Sequence, residues 1–474
     1  MTSAGQANRV AALRAAWTAW LARPLTSFHL VLAVFGLLTA IGLVMVLSAS
    51  SVESYSLVQS SYWMFKKQLI YTGVGLVLFW IGLRVPLRAL RRLSGPAVLL
   101  SVLLLALVLT PLGHKVNGAR AWFVLGGMSF QPVEPAKLAL ALWGAHVLVT
   151  KRALLRQYRH LLVPVVPVAL VMFALVMLEP DLGSTVTLGV VLIGLLWFVG
   201  APMRLFAALA AGGLAGVGLL AVGASYRLAR VASFLNPESD PSGAAYQARQ
   251  ALYALADGGL LGKGLGQGAS KWFYLPNVYN DFIFALIGEE LGFLGCAVVL
   301  GLFATLAVVG MRIAARNTDP WIRLVAATLT TWLVAQAAIN IGYVIGMLPI
   351  TGITLPLISW GGTSVVTTML VFGILANCAR HEPEAVATLR NSGEGRLGRL
   401  LRLPVPDPYR PPARRRPARP STPPKRAGRP TGAVRGGAAH LADDRRRTRR
   451  AASTKQQRRR AADRTAPRRT SHGR

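Results

Sequence analysis

The sequence has little cysteine and few acidic side chains. Cys296 and Cys378 are its only cysteines, and 18 Asp and Glu residues stand against 52 Lys and Arg residues. Two cysteines, both within apolar runs, give no sign of a disulfide framework or a cysteine-based metal site, and we expect both to be small core residues. Because acids are scarce, each carboxylate near an apolar run is a candidate for function.

Long polar stretches are also scarce before residue 381, whereas apolar ones recur. The chain is 53% hydrophobic and its mean hydropathy is +0.47. Ten runs approach the roughly 20 residues that span a bilayer core. They lack the alternating period of barrel strands, so the sequence predicts an all-α polytopic membrane protein with about ten transmembrane helices. The runs cover residues 28–48, 67–83, 96–112, 134–150, 161–178, 183–200, 203–223, 281–303, 323–347 and 364–380.

Basic residues in the connecting loops orient this bundle. The loops at 84–95, 151–160 and 304–322 carry Arg or Lys and fall on the side of both termini, which we therefore expect to be cytoplasmic. The opposite face receives the large loop 224–280 between spans 7 and 8. Its cations are candidates for binding an anion, and they are Arg227, Arg230, Arg249, Lys263 and Lys271.

Charge also divides the chain into three parts. Of the formal net charge of +34, residues 381–474 hold 26 Lys and Arg and 7 Asp and Glu, or +19. We expect 1–27 to be a cytoplasmic segment, 28–380 the membrane domain, and 381–474 a disordered basic cytoplasmic tail. Such a tail would meet anionic inner-leaflet lipid or a cytoplasmic partner, and we predict no nucleic-acid partner.

The stretch YNDFIFALIGEE, residues 279–290, places three acids around an apolar run. Asp281 lies at the external start of span 8, where it could be a catalytic group or a helix N-cap. Glu289 and Glu290 lie deeper, and we expect them to pair with Arg, Asn or backbone groups. On a straight helix, Asp281 and Glu289 would be roughly 12 Å apart, which is too far for a pair of hydrolytic carboxylates.

A single carboxylate suits transfer from a donor that already has a good leaving group, such as a diphosphate. One base would deprotonate the incoming hydroxyl, and cations would hold the diphosphate. The external loop 113–133 and the start of span 4 supply Lys115, Arg120 and Lys137, although Lys137 could simply pair with Glu134.

Other polar residues admit structural explanations. Asp181 in EPDLGST could cap the sixth span, and the glycine-rich stretch 258–268 fits a loop that needs positive φ and close backbone approach better than it fits a nucleotide loop. Asn340 and Ser359 complete the polar set. The segment from Asn340 to Ser364 is broken by Gly and Pro, which is tolerated at membrane depth only against protein or a cavity.

These residues resemble the SEDS family of cell-wall proteins (shape, elongation, division and sporulation). The likeness covers about residues 28–380, and the loop run resembles the actinobacterial division branch most. It is carried by NGARAW, QPVEPAK, EPDLGS, FLNPESDPSGAAYQ, YLPNVYNDFIFALIGEELGFLG and a signature formed by Asn340, Gly346, Pro349, Gly352, Ser359, Gly361, Gly362, Thr363 and Ser364.

The resemblance implies a peptidoglycan glycosyltransferase that polymerises lipid II at the outer face of the membrane during septal wall synthesis. It implies a class B penicillin-binding protein and other division proteins as partners. The family's essential aspartate falls on Asp281, and its conserved external arginine and lysine fall on Arg120 and Lys137. Further candidates for substrate binding are Glu134, Lys271, Asn340 and Ser359. A divalent cation (Mg²⁺ or Mn²⁺) could bind the diphosphate in place of cationic side chains.

Two other functions compete with this one. A ten-span bundle with a broken helix could move lipid II between leaflets, with Glu289 and Glu290 as coupling groups. The chain could also be a scaffold that recruits the cross-linking enzyme.

Overall fold

The computed structural model describes residues 23–116, 118–155, 157–222, 243–393 and 395–409. Predictions on Arg227, Arg230 and the FLNPESDP motif fall outside these residues, as do most of the N-terminal segment and the tail from residue 410 onward. The helices, in chain order, are α1 (Thr26–Val58), α2 (Trp63–Arg84), α3 (Leu87–Val108), α4 (Val133–Thr150), α5 (Tyr158–Leu162), α6 (Val165–Leu178), α7 (Leu182–Phe198), α8 (Met203–Val222), α9 (Ala244–Gly258), α10 (Ile283–Arg316), α11 (Pro320–Val344), α12 (Gly362–Arg380), α13 (Pro383–Ser392) and α14 (Arg396–Leu400).

The predicted helical membrane fold is confirmed. Each of the ten apolar runs coincides with a helix: α1 to α4, α6 to α8 and α10 to α12. Within the described part of the chain, α1, α3, α10, α11 and α12 are long and apolar enough to cross a bilayer, and α6, α7 and the first part of α8 are shorter apolar helices. The protein is therefore a membrane protein.

A small antiparallel sheet was not predicted. Strands β1 (His114–Val116), β2 (Ala119–Leu125) and β3 (Met128–Phe130) lie in the loop between α3 and α4, in the order β1-β2-β3. Three short strands leave little hydrophobic periodicity, which is why the sequence did not reveal them.

The helix ends also differ from the predictions. Helix α1 continues ten residues past the expected end at residue 48, and α10 continues from the expected end at 303 to Arg316. The α1 extension carries Glu53 and four serines, which hydropathy alone assigns to a loop, whereas the α10 extension carries Arg312 and Arg316 among mostly apolar residues.

Helix α12 lies at the centre of the bundle, and 89% of its most apolar stretch is buried inside the protein. It packs closely on α2 because glycines face the contact. A Cβ built on Gly373 would lie 2.3 Å from the carbonyl oxygen of Phe79, and one on Gly82 would lie 3.0 Å from that of Leu370. Small residues therefore bring these two membrane helices together.

Helix α10 is broken at Gly292, whose φ of 69° and ψ of −168° are not helical. The glycine-rich loop 258–268 takes up the backbone groups that the break releases. The N–H groups of Lys263 and Gly264 donate to the carbonyls of Glu289 and Glu290, at 2.9 and 3.0 Å, and Phe293 N–H donates to the carbonyl of Gly259, at 2.9 Å. The structural interpretation of these glycines is confirmed, since the loop combines positive φ with close backbone approach.

Glu289 and Glu290 fasten the same loop through their side chains. The Glu289 carboxylate accepts from the N–H groups of Ala269 and Ser270, at 2.7 and 3.3 Å. The Glu290 carboxylate accepts from the Ser48 hydroxyl of α1, at 2.6 and 2.8 Å, and lies 3.4 Å from Lys271 Nζ. Their expected role as buried structural groups is confirmed, although the partners are Ser, Lys and backbone rather than Arg or Asn.

The C-terminal end of the described fold extends past the boundary predicted at residue 380. Helices α13 and α14 follow α12, within the segment from residue 381 that was predicted to be disordered. Arg380 donates to the carbonyl of Pro404 at 3.0 Å, and Trp80 Nε1 donates to that of Leu401 at 3.1 Å. Sequence composition did not reveal these two helices, because the average composition of residues 381–474 is dominated by the basic residues that follow them.

Candidate functional site

A cavity of about 280 Å³ lies where several helices, strands and connecting segments meet. Its walls come from β1 and β2, the starts of α4, α7 and α12, the turn before α10 and the segment between α11 and α12. The side chains with catalytic or hydrogen-bonding capacity that line it include Gln131, Glu134, Lys137, Asp181, Tyr279, Asn280, Asp281 and Gln336.

Asp281 reaches this cavity from the turn before α10. The N-cap position of α10 is Phe282, without a side-chain cap, so the N-cap explanation of Asp281 is wrong. Gly352, with φ of 73°, faces the carboxyl group: a Cβ built there would lie 3.7 Å from Asp281 Oδ2. Glycine at this position keeps the cavity open beside the carboxylate.

Asn340 and Tyr343 of α11 fix the backbone of Asp281. Asn340 Nδ2 lies 3.0 Å from the carbonyl oxygen of Asp281 and 2.7 Å from that of Ile353, and the Tyr343 hydroxyl lies within hydrogen-bond distance of the same two oxygens. Both side chains are fully buried. The pair ties the Asp281 turn to the broken segment, so the geometry gives Asn340 a positioning role rather than a place in the cavity wall.

Lys137 is a buried cation in the cavity wall. Its side chain is 2% exposed and its Nζ lies 3.0 Å from Glu134 Oε1, so the predicted i,i+3 pair forms. The ammonium also lies 5.1 Å from the ring centroid of Trp332, which is close enough for a cation–π interaction. Burial makes this pair different from an exposed one, because removing either charge leaves the other unpaired.

Asp181 caps α7, as the sequence suggested. Its Oδ1 accepts from the N–H of Ser184 at 2.9 Å, and its Oδ2 accepts from Gln131 Nε2 at 3.0 Å. Gln131 and Gln336 line the cavity but were not singled out from the sequence. A signal existed for Gln336: it precedes Asn340 by four residues in an apolar helix, which places both on one face.

Glu179 lies directly before this cap, in the turn between α6 and α7. Its carboxyl group is buried and accepts no hydrogen bond from any described residue. Burial, followed by repulsion from Asp181, raises its pKa from 4.5 to about 8. The folded protein therefore holds a neutral carboxylic acid here at neutral pH.

We expect Glu179→Gln to change how stability depends on pH. Because the pKa is raised on folding, the native state binds the proton more tightly, so stability falls as pH rises from about 4.5 to about 8. At 1.36 kcal/mol per pKa unit the upper limit of this contribution is about 5 kcal/mol. Thermal melts in detergent at pH 6 and pH 8.5 should show wild type losing several degrees more than the variant. Equal losses would contradict the assignment.

The structure does not gather every predicted site residue into the cavity. Arg120 lies on β2 between two cavity-lining residues, and its guanidinium donates to the carbonyls at the end of α3. The Ser359 hydroxyl accepts from the N–H of Leu355 at 2.8 Å, inside the broken segment. Lys271 is held by Glu290 and lines a different cavity. Among the described residues no group of three His, Cys, Asp or Glu side chains could hold a metal ion, so a divalent cation stays a prediction.

Residues 28–384 match the profile of the FtsW, RodA and SpoVE family, described as "Cell cycle protein". A relative from Mycobacterium tuberculosis, named "Probable peptidoglycan glycosyltransferase FtsW", is 52% identical over 400 residues, which is 84% of this chain and 76% of the relative. "Stage V sporulation protein E" of Bacillus subtilis is 39% identical over 347 residues, which is 73% of this chain and 94% of that protein.

Two solved structures share the fold. One is described as "Structural coordination of polymerization and crosslinking by a peptidoglycan synthase complex"; it has a TM-score of 0.63 and 29% identity, and the match covers 77% of this chain and 99% of the other. The rod shape determining protein RodA of Thermus thermophilus has a TM-score of 0.55 with the same identity and coverage.

Proposed function

The chain belongs to the FtsW, RodA and SpoVE family of cell cycle proteins, and from that premise we propose that it polymerises lipid II into glycan strands. It is a peptidoglycan glycosyltransferase, as its relatives' names state. The relatives named FtsW point to cell division, so we place the activity in septal wall synthesis.

The reaction joins two sugars and releases a polyprenyl diphosphate. Asp281 takes the proton from the acceptor's 4-hydroxyl as that oxygen bonds to the anomeric carbon of the donor. The bond from this carbon to the diphosphate oxygen breaks, and the diphosphate departs with the electron pair. The leaving group needs no acid to protonate it, so one carboxylate base suffices. Attack opposite the leaving group inverts the anomeric carbon.

Asp281 and Lys137 line the same cavity, and this juxtaposition is the observation that supports the proposal most. A positive charge in a buried wall attracts a developing diphosphate charge more strongly than one in water. Glu134 offsets part of that attraction. Strands β1 and β2 form one wall of the cavity, and Lys115 and Arg120 face each other across these two strands. Two like charges in a cross-strand pair repel each other, and a bound anion would relieve that repulsion.

The family supports a proposal for the protein's location and partners. We propose that both termini are cytoplasmic, that the cavity opens outward, and that the protein concentrates at the division septum. We further propose a class B penicillin-binding protein and other division proteins as partners, since the complex with the related fold is described as coordinating polymerization and crosslinking. The basic tail would meet anionic lipid or a cytoplasmic partner.

A transporter is not favoured. Its coupling groups would be Glu289 and Glu290, which are engaged in holding the glycine-rich loop. A role as scaffold alone would leave the buried Lys137 and the Asp281 cavity without a purpose.

The test is polymerisation by purified protein. Full-length protein in detergent or nanodiscs, with and without its penicillin-binding partner, receives labelled lipid II, and glycan products are separated by gel. We expect polymer in at least one condition. No polymer with the partner present, together with movement of labelled lipid between leaflets, would replace this function with transport.

A further inference from the structure

A second cavity, of about 200 Å³, adjoins the central one. Helix α1 supplies one wall through Ala49 and Glu53, and the loop before α10 supplies the other through Lys271 and residues 275–279. Asn277 and Tyr279 line both cavities. A ligand that extended from the reacting sugar would therefore need to pass only this short segment to enter the second cavity.

Both walls of this cavity are fixed by the fold. Ala49 and Glu53 are four residues apart on α1 and so share one face. Ser48, just before them, donates to Glu290, which also lies 3.4 Å from Lys271 Nζ. The same clamp that fastens the glycine-rich loop thus sets the distance between the two walls.

Glu53 is the carboxylate in this cavity, and it could accept a hydrogen bond from a ligand. Its side chain is half-buried, and among the described residues it has no hydrogen-bond or ion-pair partner. The Lys271 ammonium is already held by Glu290, Ser48 and the carbonyl of Gly266. A carboxylate beside an occupied cation suits a neutral donor, because a second cation would be repelled by the first.

Tyr279 connects the two cavities chemically. Burial raises the pKa of its hydroxyl, and the charges of Glu53 and Asp281 raise it further. The ring packs edge-on against Trp360, with centroids 5.8 Å apart. The hydroxyl therefore stays protonated and available to donate or accept beside a bound sugar.

We propose that the second cavity is a saccharide subsite, in which Glu53 accepts hydrogen bonds from the hydroxyl groups of the sugar unit next to the one that reacts. This rests on the proposed function, because the ligand is taken to be a lipid-linked saccharide. Glu53 touches the substrate remote from the reacting atoms, so it contributes to binding rather than to proton transfer.

The test compares Glu53→Ala and Glu53→Gln in the lipid II polymerisation assay. We expect Glu53→Ala to raise KM about 10-fold, as for the loss of one hydrogen bond to a charged group, with a much smaller effect on kcat. Glu53→Gln should raise KM only about 2–3-fold, because the amide oxygen still accepts from a hydroxyl. Asp257→Asn, which neutralises an exposed carboxylate outside both cavities, is the matched control and should leave both constants unchanged.

Each other outcome is informative. An unchanged KM in Glu53→Ala, with wild type active, would overturn the subsite and leave the proposed function standing. Equal losses in Glu53→Gln and Glu53→Ala would indicate an ammonium ligand and overturn the hydroxyl assignment. Failure of wild type to polymerise lipid II would instead remove the proposed function. Melting temperatures of all variants show whether each has folded, and Glu53→Gln, which preserves size, carries the test if Glu53→Ala does not fold.

Discussion

Asp281→Asn is expected to lower kcat for glycan polymerisation by about 10²–10⁴-fold, the range for loss of a positioned general base. Asparagine has the same shape but cannot take the proton of the acceptor hydroxyl. The fold should survive, because Asn340 and Tyr343 hold the backbone carbonyl of residue 281 and not its side chain. The measurement is the initial rate with saturating lipid II, alongside a thermal melt.

Asp257→Asn is the matched control for this variant. Asp257 is an exposed aspartate that forms a surface ion pair with Lys263, and such pairs contribute little to stability. Its variant should polymerise at the wild-type rate. If Asp281→Asn did the same, Asp281 could not be the base, and the reaction would need another proton acceptor in the cavity.

Much of the fold could be predicted because the hydrophobicity that drives membrane insertion is a local property of the sequence. An apolar run of about 20 residues can satisfy its own backbone hydrogen bonds in a bilayer by forming a helix, so all ten runs were found from hydropathy. The break at Gly292 could not be found, because it depends on backbone groups of the loop at 258–268 that come close only in the folded chain. The same holds for α13 and α14, which are held by contacts with α2 and α12.

The site was predictable in part, for a related reason. Asp281 and Lys137 stood out because an ion near hydrocarbon is costly, and both line the cavity. The free-energy cost of burying a polar group, however, does not distinguish a residue that faces the substrate from one that stabilises the fold. Asn340 and Ser359 are fully buried, and they hydrogen-bond backbone groups of the broken segment. Glu53 was missed because α1 continues past its apolar run, and only that extension brings it beside Tyr279.

Lys137→Met is expected to lower polymerisation by at least about 10²-fold and also to destabilise the protein. Methionine keeps most of the apolar volume of the lysine stem but removes the positive charge beside the departing diphosphate. It also strands Glu134 as a buried carboxylate, and breaking a buried pair in this way costs about 3–5 kcal/mol. A single variant therefore mixes a catalytic effect with a folding effect, and its activity alone would be ambiguous.

The double variant Lys137→Met with Glu134→Gln separates these two effects. Neither side chain then carries a charge, so most of the lost melting temperature should return, since replacing both members of a buried pair is far less costly than removing one. If Lys137 acts on the diphosphate, polymerisation stays as low as in Lys137→Met. Recovery of activity together with stability would show that Lys137 serves only to neutralise Glu134. The leaving group's countercharge would then have to come from the Lys115 and Arg120 pair on the sheet.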